Sequence, residues 1–283
     1  MMAALEAWME PRRAAIERWL EPRHDDVWPK DFARACHYPL SNGGKRMRPL
    51  LCLAAHEALT GTWEPALHVA CAFEMVHTYS LVHDDLPAMD NSDERRGRPS
   101  VHKVWTEGVA VLVGDGLLTD AFGVIIDDEL PAETKVALVR LLSRAAGSRG
   151  MVGGQAADIG LAGKIRDLDV LERLHRKKTG ALIEASVLAG AVVAGANTAQ
   201  LQAFAEYGQA VGLAFQLADD LLDADEVKDE GGPPSFVAML GEFETRRRAT
   251  LLGEKACDLA REAVGHRSEI LAALAHLAVH RVT

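Results

Sequence analysis

The sequence predicts an all-α protein, a single domain over residues 1–283 with about ten or more helices. Two features of composition predict this: alanine, leucine and valine are abundant, and only 5% of the 283 residues are aromatic. Such a mixture suits helices better than sheets. The third observation is that apolar residues recur every three or four positions, and we find no alternating strand of useful length.

The helical spacing is clearest over 201–222, where Phe204, Val211 and Phe215 share a face. Similar patterns predict helices over 63–82, 101–126, 133–146, 169–194, 236–263 and 268–279. Glycine and proline predict breaks at 42–44, 87, 97–99, 160–163 and 231–234. None of these breaks is long or polar enough for an interdomain linker, which favours one domain.

Charge and hydropathy exclude several classes. The formal net charge of −10 argues against nucleic-acid binding, which needs an excess of basic residues. Glu6 and Glu10 interrupt the N-terminal apolar stretch, whereas a signal peptide needs an uninterrupted apolar core. The most apolar stretch, 181–196, contains Glu184 and is shorter than the ~20 residues of a membrane span. We expect a cytoplasmic protein with no membrane span, in which the cysteines, none in a CxxC pair, are buried and reduced.

Two acidic clusters are the strongest functional signal, and each follows an apolar helical stretch. In the second cluster, Asp219-Asp220-Leu221-Leu222-Asp223, Asp219 and Asp223 lie four residues apart and so share a helix face. Two carboxylates there repel each other unless a cation lies between them, and hard oxygen ligands suit Mg2+. A solvated helix end is the alternative for either cluster taken alone.

The first cluster runs from Asp84-Asp85 to Asp90. Asp84 and Asp90 are six residues apart and would point to different sides of an ideal helix. Pro87 lacks an N–H and its ring clashes with the preceding turn, so it should end or distort the helix. The chain can then fold Asp90 back towards Asp84.

Basic residues cluster between the acidic ones. Lys45, Arg46 and Arg48 lie in a glycine-loosened loop, and Arg95 and Arg96 follow the first acidic cluster. Arg176, Lys177, Lys178 and Thr179 precede another apolar helix. Arginine forks and lysine charges are what diphosphates require. Cations alternating with metal-binding carboxylates therefore suggest two diphosphates, one held through Mg2+ and one held directly.

His77 lies seven residues before Asp84, on nearly the same helical face. A histidine on an apolar helix is usually a core residue, but this alignment makes a role in the site an equal alternative.

Six motifs together resemble the trans-isoprenyl diphosphate synthases, the polyprenyl synthetase family. They cover the chain from about residue 38 onwards and are GGKRMRP (43–49), HTYSLVHDDLPAMDNSDERRGRPS (77–100), GDGLLTDAF (114–122), GGQAADI (153–159), HRKKTGALIEAS (175–186) and GLAFQLADDLLD (212–223). Their order is similar to that in bacterial farnesyl diphosphate synthases. The resemblance implies an all-α isoprenoid synthase fold around a central apolar cavity, a homodimer, and Mg2+-dependent condensation of isopentenyl diphosphate with dimethylallyl or geranyl diphosphate.

The resemblance also implies a role for each site residue. Mg2+ would be bound by Asp84, Asp90 and Asp219, together with Asp85, Asp220 and Asp223. The allylic diphosphate would be held by Arg95, Lys178 and Thr179, near Gln216. Isopentenyl diphosphate would be held by Lys45, Arg48, His77 and Arg96. Tyr79, five residues before the first aspartate, and Ser80 would set product length, although a helical wheel places Ser80 closer than Tyr79 to the face of Asp84.

Two positions depart from the family pattern. Asn91 stands where many relatives carry another aspartate. After Asp223 the loop is short, and Pro233 falls about where a second lysine is usual, with Lys228 as the candidate to compensate.

Other activities remain open at this stage. Geranyl or geranylgeranyl diphosphate could be the product, or the chain could be a non-catalytic regulatory subunit, although such subunits are expected to lose acidic ligands. A class I terpene cyclase would not need the GGKRMRP loop and His77. An HD-type phosphohydrolase using His83, Asp84 and His56 would leave the second acidic cluster unexplained.

Overall fold

The computed structural model describes residues 2–21, 27–224 and 234–279, which are almost entirely helical. The helices are α1 (Met2–Leu20), α2 (Lys30–Leu40), α3 (Met47–Thr60), α4 (Leu67–Asp84), α5 (Val101–Val104), α6 (Glu107–Asp127), α7 (Ala132–Ala146), α8 (Met151–Ala156), α9 (Leu168–His175), α10 (Ala181–Val193), α11 (Thr198–Ala224), α12 (Phe236–Leu240), α13 (Glu242–Val264) and α14 (Glu269–Val279). The predicted all-α class is confirmed.

Two predicted helices are each divided in the structure. The 101–126 pattern breaks between α5 and α6 because Thr106 caps α6, its side chain accepting a hydrogen bond from the Val109 N–H. The 236–263 pattern breaks at Gly241, whose φ of 79° a helix cannot hold. The helical pattern predicted over 169–194 continues without interruption, but its middle, 176–180, widens into a π-helical turn. A second π-helical turn spans 157–161.

A short hairpin is the only sheet in the described part of the chain. Strands β1 (Glu94–Arg95) and β2 (Arg98–Pro99) pair antiparallel, with Arg95 opposite Arg98. The turn residues Arg96 and Gly97 both have positive φ, 58° and 72°, as a two-residue hairpin turn of the primed type requires. The sequence did not predict this hairpin, because two-residue strands leave no alternating pattern.

Most helices pack around one hydrophobic core to which α3, α4, α6, α10 and α11 all contribute buried residues. A second, smaller cluster forms around Phe236, with Leu171, Leu213 and Leu217. Helices α3 and α10 pack closely where α10 has a glycine. A Cβ at Gly190 on α10 would overlap the Cys52 carbonyl of α3. All four cysteines are buried, as predicted, and none forms a disulfide.

Helix α6 is long and apolar enough to cross a membrane, and among the described residues it is the one helix that is. From the sequence, 181–196 was considered as a membrane span and α6 was not. Only 33% of the apolar stretch of α6 is buried, and Val111, Leu112 and Ile126 are exposed. By contrast, α10 lies largely inside the core, as expected of a buried helix.

Candidate active site

The first acidic cluster begins where α4 ends. The helix stops at Asp84, and the next residues form a tight coil in which the Met89 N–H donates to the Leu86 carbonyl. The Asp90 N–H donates to the Asp84 carbonyl at 2.9 Å. The prediction that Pro87 lets the chain fold Asp90 back towards Asp84 agrees with this backbone hydrogen bond.

Asp85 and Arg95 lie together in the same region. Asp85 is only 3% exposed, and its Oδ1 accepts hydrogen bonds from Arg95 Nε at 3.0 Å and Nη2 at 2.5 Å. Charge-assisted bonds of this kind are strong. The predicted metal ligand Asp85 and the predicted phosphate ligand Arg95 thus bind each other in this structure.

Arg96 reaches the glycine-loosened loop. The hairpin turn directs its guanidinium onto the backbone at Gly43 and Gly44, where Nη1 donates to the Gly43 carbonyl. A Cβ on Gly44 would lie 2.5 Å from Arg96 Cζ. The structure therefore brings Arg96 and the GGKRMRP loop together, as the predicted isopentenyl diphosphate site requires.

The cations of that loop have different environments. Arg46 points inward: its side chain is fully buried, with ion pairs of 2.7 Å to Glu17 and to Glu74. Its role is to hold the loop against α1 and α4. Lys45 is exposed and Arg48 is buried, and Arg48 lines a large cavity beside α4.

That cavity has a volume of about 350 Å3 and lies between α4, α8 and the turn at 176–180. Its lining includes, besides apolar residues, the predicted site residues Arg48, His77, Tyr79, Ser80, Asp84, Lys178 and Thr179. Burial lowers the pKa of His77 well below its usual value, and Arg48, Arg96, Arg46 and Arg95 lower it further. A neutral imidazole surrounded by arginines marks a region of positive potential suited to an anion.

The turn at 176–180 presents Lys178 and Thr179 to the cavity. Lys178 Nζ forms an ion pair of 2.5 Å with Asp158 of the other π-helical turn. Thr179 Oγ1 donates to Gln216 Oε1 at 3.1 Å, and Gln216 Nε2 donates to Asp220 Oδ1 at 2.9 Å. The turn thus connects the cavity to the second acidic cluster on α11.

In the second cluster the carboxylates differ in exposure. Asp220 is buried, and its Oδ2 accepts a hydrogen bond of 2.6 Å from the Phe236 N–H. Asp219 is half-buried and Asp223 is exposed. Burial raises the pKa of Asp220, the two hydrogen bonds oppose that rise, and the neighbouring Asp223 and Asp219 add to it.

The electrostatics at Asp84 bear on whether a metal ion fits. Burial raises the pKa of Asp84 to about 6; Lys178 opposes the rise, and Asp90 adds to it. A buried carboxyl group beside other carboxyl groups is an environment that a divalent cation stabilises. Within the described ranges, no three acidic, histidine or cysteine side chains are close enough to enclose an ion by themselves. Both facts fit Mg2+, which usually takes one or two carboxylates and completes its shell with phosphate oxygens and water.

Tyr79 and Ser80 both line the cavity. Tyr79 is 5% exposed and packs edge-to-face on His83, with ring centroids 5.7 Å apart. The Ser80 hydroxyl donates to the His77 carbonyl. The helical-wheel objection to Tyr79 does not exclude it, since it reaches the cavity as Ser80 does.

The alternative phosphohydrolase site does not assemble. His83 Nε2 lies 3.0 Å from the Val111 carbonyl on α6. His56 Nδ1 lies 2.7 Å from the Thr62 carbonyl, beyond the end of α3. The two histidines and Asp84 therefore do not form a common metal site.

Sequence reasoning missed two residues of this region, Gln155 and Asp158. Gln155 lines the cavity, and Asp158 pairs with Lys178. Both belong to the motif GGQAADI (153–159), and this motif could have indicated from the sequence that they lie at the site. Lys228 and Pro233, the residues of the shortened loop, lie outside the described residues.

Comparison with known proteins agrees with the geometry. The sequence model of the polyprenyl synthetase family matches residues 29–235. A farnesyl diphosphate synthase of Geobacillus stearothermophilus is 47% identical over 225 residues, which is 78% of this chain and 74% of that protein.

Two solved structures share the whole architecture. An FPP/GFPP synthase from Zymomonas mobilis, in its apo form, has a TM-score of 0.90 at 35% identity and covers 99% of this chain and 100% of that one. A geranyltransferase from Helicobacter pylori, complexed with magnesium and isoprenyl diphosphate, has a TM-score of 0.85 at 31% identity, over 96% of this chain and 97% of that one. The chain therefore belongs to the polyprenyl synthetase family and is a prenyltransferase of the trans-isoprenyl diphosphate synthase type.

Proposed function

We propose that this enzyme joins isopentenyl diphosphate to dimethylallyl or geranyl diphosphate and releases farnesyl diphosphate and pyrophosphate. The observation that carries the proposal is the position of Lys178 and Thr179. Both line the cavity; Lys178 lies close enough to Asp84 to lower its pKa, and Thr179 is hydrogen-bonded through Gln216 to Asp220 of the second acidic cluster. The farnesyl diphosphate synthase and the FPP/GFPP synthase among the similar proteins support the substrate class.

The allylic diphosphate is held between the two acidic clusters. Asp84, Asp90 and Asp219, with Asp85, Asp220 and Asp223 beside them, would hold Mg2+, which supplies electrostatic stabilisation of the charge that develops on pyrophosphate. The magnesium in the Helicobacter pylori complex supports this choice of metal.

Lys178, Thr179 and Arg95 contact the leaving group directly. In this structure Lys178 is bound to Asp158 and Arg95 to Asp85. Each cation therefore reaches the diphosphate by exchanging a carboxylate for a phosphate oxygen. The charge left on the allylic carbons is protected by the apolar wall, which excludes water.

Isopentenyl diphosphate is held by Lys45, Arg48, His77 and Arg96, of which Arg48 and His77 line the same cavity as Asp84 and Lys178. The contact between Arg96 and the loop at Gly43 supports this second anion site. The double bond attacks the allylic cation, a carbon–carbon bond forms, and the proton lost from isopentenyl diphosphate passes to the departing pyrophosphate. The oxygen of pyrophosphate serves as the base: burial and the neighbouring arginines lower the pKa of His77 and make it a poor proton acceptor, and His83 Nε2 is engaged with the Val111 carbonyl.

The length of the product tests the proposal that Tyr79 limits the depth of the cavity. The purified enzyme is incubated with Mg2+, isopentenyl diphosphate and either allylic starter, and the products are identified by mass. We expect farnesyl product from both starters and none after chelation of Mg2+. Tyr79→Ala should open the buried end of the cavity and lengthen the product, whereas Ser80→Ala, the matched control, should not. A wild-type product of geranylgeranyl length would contradict the role of Tyr79, and no condensation at all would favour a regulatory subunit.

We also propose that the enzyme is a cytoplasmic homodimer. The exposed apolar residues Val111, Leu112 and Ile126 of α6 support a self-association surface. The four buried cysteines, none of them in a disulfide, suit a reducing compartment. Light scattering should give twice the chain mass, and Leu112→Asp should give a monomer; a monomeric wild type would overturn the proposal.

A further inference from the structure

Gln155, in the last turn of α8, has an unusual environment. It lines the cavity beside Asp84 and Lys178. Both polar atoms of its side-chain amide are shielded from water, and neither has a hydrogen-bond partner among residues 2–21, 27–224 and 234–279. Native proteins pair nearly all such groups, so an exception calls for an explanation.

The position of Gln155 is fixed relative to Lys178. The preceding residue, Gly154, lets α8 touch the turn at 176–180: a Cβ there would lie 2.6 Å from Lys178 Cα. This close approach fixes the backbone at Gln155 relative to the backbone of Lys178. An amide held at this place lies in the wall of the cavity where the reacting end of an allylic diphosphate bound by Lys178 would lie.

An amide without hydrogen bonds keeps its full dipole in a medium of low dielectric constant. When this dipole points at a neutral prenyl chain, the interaction energy is small. Directed at an allylic cation, its oxygen end is attracted to charge that exists only during the reaction. Such an interaction raises kcat and not ground-state affinity.

We infer that Gln155 is a catalytic residue that stabilises the allylic cation through its side-chain carbonyl. This inference rests on the proposed function and adds a residue to it. The step is an ionisation: the allylic C–O bond breaks, its electron pair leaves with pyrophosphate, and the carbonyl oxygen faces the positive carbons without forming a bond to them.

Gln155→Met tests the inference because methionine nearly keeps the shape and loses the dipole. We expect kcat to fall about ten- to a hundredfold, with the KM for the allylic substrate within threefold of wild type. Thermal stability should be unchanged or higher, since an unpaired buried amide has been removed. The matched control is Gln209→Met, an exposed glutamine of α11 bonded to Glu184, which should leave kcat unchanged.

A binding measurement separates this role from a structural one. Wild type should bind an allylic diphosphate analogue with an ammonium nitrogen at the cationic carbon more tightly than its neutral carbon counterpart. Gln155→Met should lose about tenfold of that preference, and Gln155→Glu, whose carboxylate oxygens also attract the ammonium nitrogen, should keep or increase it. Unchanged kcat and unchanged preference in Gln155→Met would overturn the inference, as would a rise in KM alone. If the proposed function itself were wrong, the wild-type enzyme would form no product, and this outcome differs from every outcome expected for the Gln155 variants.

Discussion

The contact between Gly44 and Arg96 gives a sharp test of the isopentenyl diphosphate site. Gly44 has a φ of +122°, and a Cβ there would lie 2.5 Å from Arg96 Cζ. Gly44→Ala should therefore displace the Arg96 guanidinium without changing the chemistry of Arg96. Gly43→Ala is the matched control, because Gly43 also has positive φ, +65°, but a Cβ there meets nothing within 4 Å.

The expected effect follows from the hydrogen bonds that Arg96 would lose. Alanine at the left-handed φ of Gly43 costs about 1–2 kcal/mol, and at the φ of Gly44, beyond the range that alanine readily adopts, it costs more. A double-mutant cycle is therefore needed to separate backbone strain from displacement of Arg96. A hydrogen bond to a charged group contributes about 1.5–3 kcal/mol, which corresponds to a roughly 10- to 150-fold change in an equilibrium constant. We expect the KM for isopentenyl diphosphate to rise by that factor in Gly44→Ala alone, with the KM for the allylic substrate unchanged.

Steady-state kinetics with each substrate varied in turn measures both constants. Arg96→Ala and the double variant Gly44→Ala/Arg96→Ala complete a double-mutant cycle. If Gly44→Ala acts through Arg96, the double variant is no worse than Arg96→Ala. Equal effects of Gly43→Ala and Gly44→Ala on the isopentenyl diphosphate KM, or additive effects in the cycle, would refute the reasoning and assign the effect to loop strain.

Two further predictions concern stability. Arg46→Met should lower the free energy of unfolding by about 3–5 kcal/mol, since it leaves Glu74, whose side chain is 2% exposed, without its cation; urea denaturation measures this, and Arg46→Met/Glu74→Met should recover part of the loss. Burial holds the pKa of His175 at about 4, with Asp158 raising and Lys178 lowering it. In the unfolded state His175 is protonated below about pH 6.5, whereas in the folded state it stays neutral until about pH 4. As pH falls through that window, the free energy of unfolding should therefore decrease, by about 3 kcal/mol at most. His175→Gln should remove this part of the pH dependence, and an unchanged slope would contradict the assignment.

The sequence predicted those features of the site that depend on local geometry. The helix period predicted the elements, and the chemistry of Pro87 predicted that the chain folds Asp90 back towards Asp84. Both follow from rules that act over a few residues. In the structure, α4 ends at Asp84 and the Asp90 N–H donates to the Asp84 carbonyl, in agreement with that prediction.

Pairings between distant parts of the chain could not be predicted in that way. Asp85 binds Arg95, ten residues on, and Lys178 binds Asp158, twenty residues back. Arg46 lies between Lys45 and Arg48 in sequence, and its ion pair with Glu74 lies within the core. No periodicity links such partners, because the packing of separate helices brings them together.

The second acidic cluster shows how this limit affects the assignment of roles. Helix geometry puts Asp219 and Asp223 on one face and Asp220 about 100° away from Asp219. Both oxygens of Asp220 are engaged, one by Gln216 and one by the Phe236 N–H at the start of α12. Asp220 thus joins α11 to the start of α12, while Asp219 and Asp223, which are four residues apart, share a neighbouring face of the helix. Three aspartates that are equivalent as a sequence motif therefore differ in environment: in the proposed Mg2+ site Asp220 also fixes the position of the other two.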